Sequence, residues 1–176
     1  MYQINFPSQG KSWLFDASSN LWTILESGLS GGRHRGEILA DFLNKPRISD
    51  YTSGDVYTLS PDVYTDNGVT IPREIISRHL NPSGGRIAIH KLQIDVETGV
   101  GLEDGIDPQA MLQISKDNGH TWGYEKWTGM GSIGGFLRRV IWRRLGISYD
   151  WTFRFRVTDP VKIVISAAYM DMEARP

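Results

Sequence analysis

Nineteen glycines and eight prolines are spread along the whole of this 176-residue chain rather than gathered into one linker. That even punctuation constrains the fold more than any other feature. The runs between them are rich in Ile, Val, Trp, Tyr, Phe and Thr, so the pattern is that of an all-β protein. At 40% hydrophobic and 22% charged, the chain has enough apolar material to bury a core.

From the start, Tyr2 to Phe6, Ser12 to Asp16 and Leu21 to Glu26 read as strands, with Ala17-Ser18-Ser19-Asn20 suited to a tight turn. Gly36 to Leu43 reads as a further strand because the runs on either side are strand-like, although Glu37-Ile-Leu-Ala-Asp-Phe-Leu would equally suit one or two helical turns. Arg47 to Tyr51 and Val56 to Leu59 flank Thr52-Ser53-Gly54-Asp55 as a hairpin in which Gly54 supplies a positive φ. These short antiparallel units, each with an aromatic residue, predict a propeller-blade-like meander over residues 1–62. Residues 63–72, with two prolines nearby and Asn67-Gly68, are expected to be a linker.

Residues 73–176 carry strands at fairly regular spacing, the profile of a β-sandwich. In Ile87 to Val96, alternation places Ala88, His90, Leu92, Ile94 and Val96 on one face, with His90 as a hydrogen-bonded, partly buried side chain. Ala110, Leu112 and Ile114 form the buried side of the next strand. Phe153, Phe155 and Val157 oppose Arg154 and Arg156, and Val161, Ile163, Ile165, Ala167 and Tyr169 align in the last strand.

Ser115, Asp117, Gly119, Thr121 and Trp122 fit the pattern Ser-x-Asp-x-Gly-x-Thr-Trp, which resembles the Asp-box of sialidases and related β proteins. Its role is local: the carboxylate accepts backbone N–H groups, the glycine takes a conformation closed to other residues, and the tryptophan packs beneath as a plug. A propeller glycosidase would repeat the box every roughly 40–50 residues, and only one copy is present. A carbohydrate-binding or glycosidase-related Asp-box module is therefore the alternative reading.

Catalysis finds no support in the sequence. His34, His79, His90 and His120 lack metal-ligand spacing, cysteine is absent, and no nucleophile elbow, phosphate loop or cofactor motif occurs. A net charge of -1 excludes a globally basic nucleic-acid binder. No apolar run approaches the roughly 18 residues of a membrane span, and no membrane contact is expected.

The concentration of arginine is different. Between Phe136 and Arg156 stand Arg138, Arg139, Arg143, Arg144, Arg154 and Arg156 against the single acid Asp150, interleaved with Trp142, Tyr149, Trp151, Phe153 and Phe155. Neighbours on a strand point to opposite faces, so Arg143 and Arg144 cannot both face solvent on a regular strand with a core on one side. Asp95, Glu97, Glu103, Asp104 and Asp107 are the acidic counterpart. Complementary patches on one subunit suit head-to-tail contact that closes into a ring. Non-specific DNA contact through arginines beside aromatics is the rival use.

With these residues in view, the chain resembles the C-terminal part of the packaged-DNA stabilisation proteins, the tail-hub or head-completion proteins of short-tailed bacteriophages. The likeness rests on Trp13-Leu-Phe-Asp-Ala-Ser-Ser, Gly54-Asp-Val-Tyr-Thr-Leu, Leu92-Gln-Ile-Asp-Val-Glu-Thr-Gly-Val-Gly, the Asp-box, Arg138-Arg-Val-Ile-Trp-Arg-Arg-Leu-Gly and Asp159-Pro-Val-Lys-Ile-Val-Ile-Ser-Ala-Ala-Tyr. It implies a structural virion protein, made in the bacterial host cytoplasm, that forms a ring in the tail, extends the portal channel and retains packaged DNA. Portal, adaptor and tail needle or tailspike proteins are the implied partners. Members of that family are longer, with a β-propeller ahead of this region. Residues 1 to about 60 would then be a remnant of one or two blades, in a fragment or a short prophage-encoded relative. The exposed edges of such a remnant invite pairing with another copy.

Overall fold

The computed structural model describes residues 1–81, 84–101 and 105–175. Its elements are almost entirely antiparallel strands. The chain divides into two compact units, Met1–Pro72 and Arg73–Pro176.

The first unit contains two three-stranded meanders. Strands β1 (Tyr2–Phe6), β2 (Lys11–Asp16) and β3 (Leu21–Leu25) form one, and β4 (Gly36–Phe42), β5 (Lys45–Asp50) and β6 (Val56–Thr58) the other. The turns obey local chemistry. Asn20 sits at φ 57 between β2 and β3, and Gly54 takes the expected positive φ, 76, between β5 and β6. The stretch expected as a linker contains a two-residue ladder, β7 (Thr65–Asp66) with β8 (Val69–Thr70), turned by Asn67 at φ 48 and Gly68 at φ 79. The signal was there: Asn-Gly is the preferred pair for a tight hairpin turn.

The second unit is a sandwich. Strands β9 (Arg73–Ile76), β11 (Gln109–Ser115), β12 (Lys126–Gly129) and β14 (Thr152–Val157) make a four-stranded sheet in the order β12-β11-β14-β9. Strands β10 (Arg86–Val96), β13 (Val140–Ser148) and β15 (Ile165–Arg175) make a three-stranded sheet in the order β13-β10-β15. Between the sheets lie Ile87, Ile89, Leu92 and Ile94 of β10, Ala110, Leu112 and Ile114 of β11, Val140, Trp142 and Leu145 of β13, and Phe153, Phe155 and Val157 of β14. Trp142 meets Phe155 edge-on at 6.1 Å and donates its indole N–H to the Lys126 carbonyl at 2.8 Å, joining the two sheets. Arg73 donates to the carbonyls of Asp159 and Val161, which pins the start of the unit to its last connection.

Two expected faces are corrected by bulges. On β10 the register shifts between Ile89 and Lys91. Against β15 the extra residue is His90, so Ile87 and Ile89 point inward before it and Leu92 and Ile94 after it. His90 is thereby turned out to solvent, 3.4 Å from Glu173, and is not part of the apolar face. On β15 the register shifts opposite Asp95 and Val96, with Ser166 as the extra residue and its hydroxyl on the Asp95 carbonyl. Ala168, Met170 and Met172 then align with Ile94, Leu92 and Ile89, while Ala167 and Tyr169 face away from the core. Ile165 and Tyr169 are exposed, and Met170 is the residue of β15 that packs on the core cluster.

Candidate interaction surface

The Asp-box closes the connection from β11 to β12. Ser115 is fully buried, and its hydroxyl donates to Asp117 Oδ1 at 2.6 Å while accepting the Gly119 N–H at 2.8 Å. Asp117 accepts the Thr121 N–H on Oδ1 at 2.8 Å and the Thr121 hydroxyl on Oδ2 at 2.5 Å. Asn118 and Gly119 turn the chain with φ 58 and 91. The Ser115 hydroxyl first, and then Thr121, hold the Asp117 carboxyl at about 2, below its ordinary value. Ser115, Asp117 and Thr121 are thus hydrogen-bonded to one another inside the turn.

Trp122 departs from the expected plug. It is half-buried on the outer face of the four-stranded sheet, with the Arg154 guanidinium 3.9 Å above its ring. The fully buried Trp151 instead stacks on Phe153 at 5.9 Å, and the Asp-box contributes Lys116 5.2 Å from its ring. Arg154 also bonds Gln113 Oε1 at 3.1 Å and lies 3.6 Å from Glu74, so it is tied into its own sheet. Arg156 stands in the next cross-strand row between Met111 and Glu74, half-buried.

The paired arginines of β13 answer the alternation problem by breaking the strand. Arg143 is opposite Lys91 and Gly146 opposite Ile89, so Arg144 and Leu145 together face His90 alone. Arg144 takes φ 56 and Gly146 φ 103. This left-handed step rotates Leu145 into the core and leaves both Arg143 and Arg144 exposed. An L-residue in this region costs roughly 1–2 kcal/mol, and the core contact of Leu145 offsets it. Arg138 and Arg139 precede the strand and are exposed there. Among the described residues no carboxylate pairs with Arg139, Arg143 or Arg144.

The expected acidic counterpart is largely engaged within the chain. Asp95 accepts from the Gln93 amide at 2.7 Å, and Glu97 pairs with Lys162 at 2.9 Å. Asp107 accepts the Gly131 N–H at 2.6 Å and lies 3.9 Å from Arg138. Glu103 and Asp104 lie outside the described residues. A different acidic pair emerges on β15, where Asp171 and Glu173 alternate with Met170 and Met172 and are exposed, Glu173 lying 3.0 Å from Arg175 of the same strand. Arg143, Lys91 and Asp171 form one cross-strand row, so the three-stranded sheet runs from cationic at its β13 edge to acidic at its β15 edge. Period-two spacing of the acids was the sequence signal for this, and it was overlooked beside the more conspicuous arginines.

The Asp-box is also less singular than its motif. Asp16 accepts the Ser18 hydroxyl on both oxygens at 2.8 Å and the Ser18 N–H at 3.1 Å, which holds its carboxyl at about 2. Asp50, enclosed in the first unit, accepts the Thr52 N–H at 2.7 Å and hydroxyl at 2.6 Å, with Arg35 at 3.0 Å. Burial pushes Asp50 up, and these bonds outweigh it and hold the carboxyl low. An aspartate that accepts both the hydroxyl and the backbone N–H of a Ser or Thr two to four residues further on is thus a recurring turn device of this chain.

A family model described as Bacteriophage P22 Gp10, beta-sandwich matches residues 72–173, a little over half of the chain and nearly all of the sandwich. No curated protein matches.

Proposed function

The chain belongs to the bacteriophage P22 Gp10 β-sandwich family, and from that premise we propose that it is a tail-hub protein that assembles into a ring, extends the portal channel and helps retain packaged DNA. It is a bacteriophage structural protein, and in this reading it works by subunit contact rather than by catalysis. Portal, adaptor and tail needle or tailspike proteins are the neighbours that such a position implies, with the virion tail as its location.

The observation that carries the reading is the charge gradient across the three-stranded sheet. Arg139, Arg143 and Arg144 stand at one edge without a carboxylate partner among the described residues, and Asp171 and Glu173 stand at the other. Opposite charges on opposite edges favour a head-to-tail contact, which repeats and closes when the rotation permits.

The test is the double reversal Arg143→Glu with Arg144→Glu. Self-association, followed by sedimentation velocity at low salt, is expected to weaken by at least about tenfold, or about 1.4 kcal/mol, with the far-UV spectrum unchanged. Adding Asp171→Arg and Glu173→Arg should restore it. Unchanged assembly together with lost DNA affinity would replace this reading with nucleic-acid contact.

A further inference from the structure

The meander β1-β2-β3 is turned inside out. Strand pairing places Tyr2, Phe15 and Trp22 in one cross-strand row and Ile4, Trp13 and Ile24 in the next, all on one face, with Phe6 beside Lys11 at its end. Tyr2 is 63% exposed, Trp22 51% and Ile24 51%. The opposite face carries Gln3, Asn5, Ser12 and Thr23 together with the half-buried Leu14 and Leu25, and this mixed side is the one used within the unit. Gln3 and Asn5 donate to the Gly36 carbonyl at 2.9 and 3.0 Å, Ser12 donates to Asn5 at 2.7 Å, and the His34 N–H reaches the Ser12 hydroxyl at 3.2 Å. Single exposed apolar residues are ordinary, but Tyr2, Phe6, Trp22 and Ile24 are exposed together on one sheet face, with Ile4, Trp13 and Phe15 half-buried among them, and such a patch marks a contact surface.

Ring faces are electronegative, so a fitting partner brings apolar bulk and cations and no carboxylates. The second meander of the same unit has such a face. Its rows are Phe42 with Lys45, Ala40 with Arg47 and Thr58, and Ser49 with Val56. Phe42 is 62% exposed and Val56 60%. Arg47 has its Nε buried without a hydrogen-bond partner among the described residues, and no carboxylate stands in these rows. The other side of this sheet holds the buried Ile48 and Asp50, and Ile48 fills the space that a side chain at Gly36 would take. Each meander therefore keeps its inward side for Gly36 and its surroundings, and the two outward faces cannot meet within one chain.

We infer that the aromatic face of β1-β2-β3 in one copy seats the outward face of β4-β5-β6 in a second copy, with Phe42 and Val56 between the rings and Lys45 and Arg47 over them. The contact is head-to-tail and face-to-face, unlike the edge pairing that unpaired strands alone suggest. The inference rests on the reading that the protein acts by self-assembly, and it locates a second assembly surface distinct from the sandwich arginines.

The test uses the full chain with Trp22→Ser and Ile24→Ser together. Light scattering across a concentration series is expected to show association weakened at least about tenfold, or about 1.4 kcal/mol. Arg47→Glu should act in the same direction, with Arg47→Lys retaining association. Hydrogen exchange gives an independent readout: amides of residues 11–25 and 40–58 should gain protection with concentration in the unaltered chain and lose that gain in the double variant. If the double variant associates normally while the Arg143→Glu, Arg144→Glu variant falls apart, this contact is wrong and the sandwich reading stands. The reverse pattern overturns the sandwich contact alone, and a chain that stays monomeric at high concentration overturns both.

Discussion

The two units of this chain use similar strands to opposite ends. In the sandwich, Leu112, Val157, Ala110 and Trp151 have no exposed surface, and both sheets contribute to one continuous core. In the first unit Ile48 is the one apolar side chain, among the described residues, that is buried, and its other enclosed side chains are the polar Ser12 and Asp50. Local turn chemistry is equally good in both, as Asp16, Asp50 and Asp117 show. Correct turns and register thus make a meander, but closing a core requires a second apolar face opposite the first. The sandwich has that face in its own chain. The first unit presents its apolar rows outward, where another subunit can meet them.

This contrast can be broken most directly in the core. Phe155→Ala is expected to destabilise the sandwich by about 3–5 kcal/mol, read as a shift in the urea midpoint, because Phe155 packs edge-on to Trp142 between the sheets. The Trp22→Ser, Ile24→Ser variant, in spite of losing larger apolar bulk, should leave the midpoint of dilute protein nearly unmoved. A large shift there would mean that the first unit has an internal core after all.

A smaller effect sharpens the shared turn device. Asp117 is held at about 2, below the ordinary carboxylate value of about 4, so its ionised form stabilises the fold above about pH 4. That contribution is lost as pH falls through about 2. Asp117→Asn should lower the melting temperature at pH 7, and the gap to the parent protein should close between about pH 4 and pH 2. A gap independent of pH would assign the effect to shape rather than charge.

The smallest expected change separates backbone from charge at the β13 bulge. Arg144→Gly removes a left-handed cost of roughly 1–2 kcal/mol and loses roughly 0.5–1 kcal/mol to chain entropy, for a net gain of roughly 0.5 kcal/mol in denaturation. If Arg144 serves assembly, the same variant should associate more weakly despite being more stable.

Much of the fold was legible in local pattern. Alternation in Ala110, Leu112 and Ile114 and in Phe153, Phe155 and Val157 placed the core of β11 and β14, because residues two apart on a regular strand share a face. The Asp-box turn was equally plain, since Ser115, Asp117 and Thr121 bond within seven residues of sequence. The same rule failed at His90, Arg144 and Ser166, where a single inserted residue inverts the phase and leaves no mark in composition. The Asp-box pattern likewise did not place Trp122, which lies under Arg154 from a distant strand.

What the sequence by itself determined is the class of structure, the turns and most of the strands, because these follow from nearest-neighbour chemistry and period-two patterning. The tertiary structure alone decided which apolar rows are covered. Six large side chains of β1-β2-β3 look as core-like as those of β11 and β14, yet without a facing sheet within their own unit Tyr2, Trp22 and Ile24 stay exposed and Ile4, Trp13 and Phe15 only half-buried. It likewise decided that Arg143 and Arg144 both reach solvent, since the bulge that frees them forms only when Leu145 finds its place between the sheets.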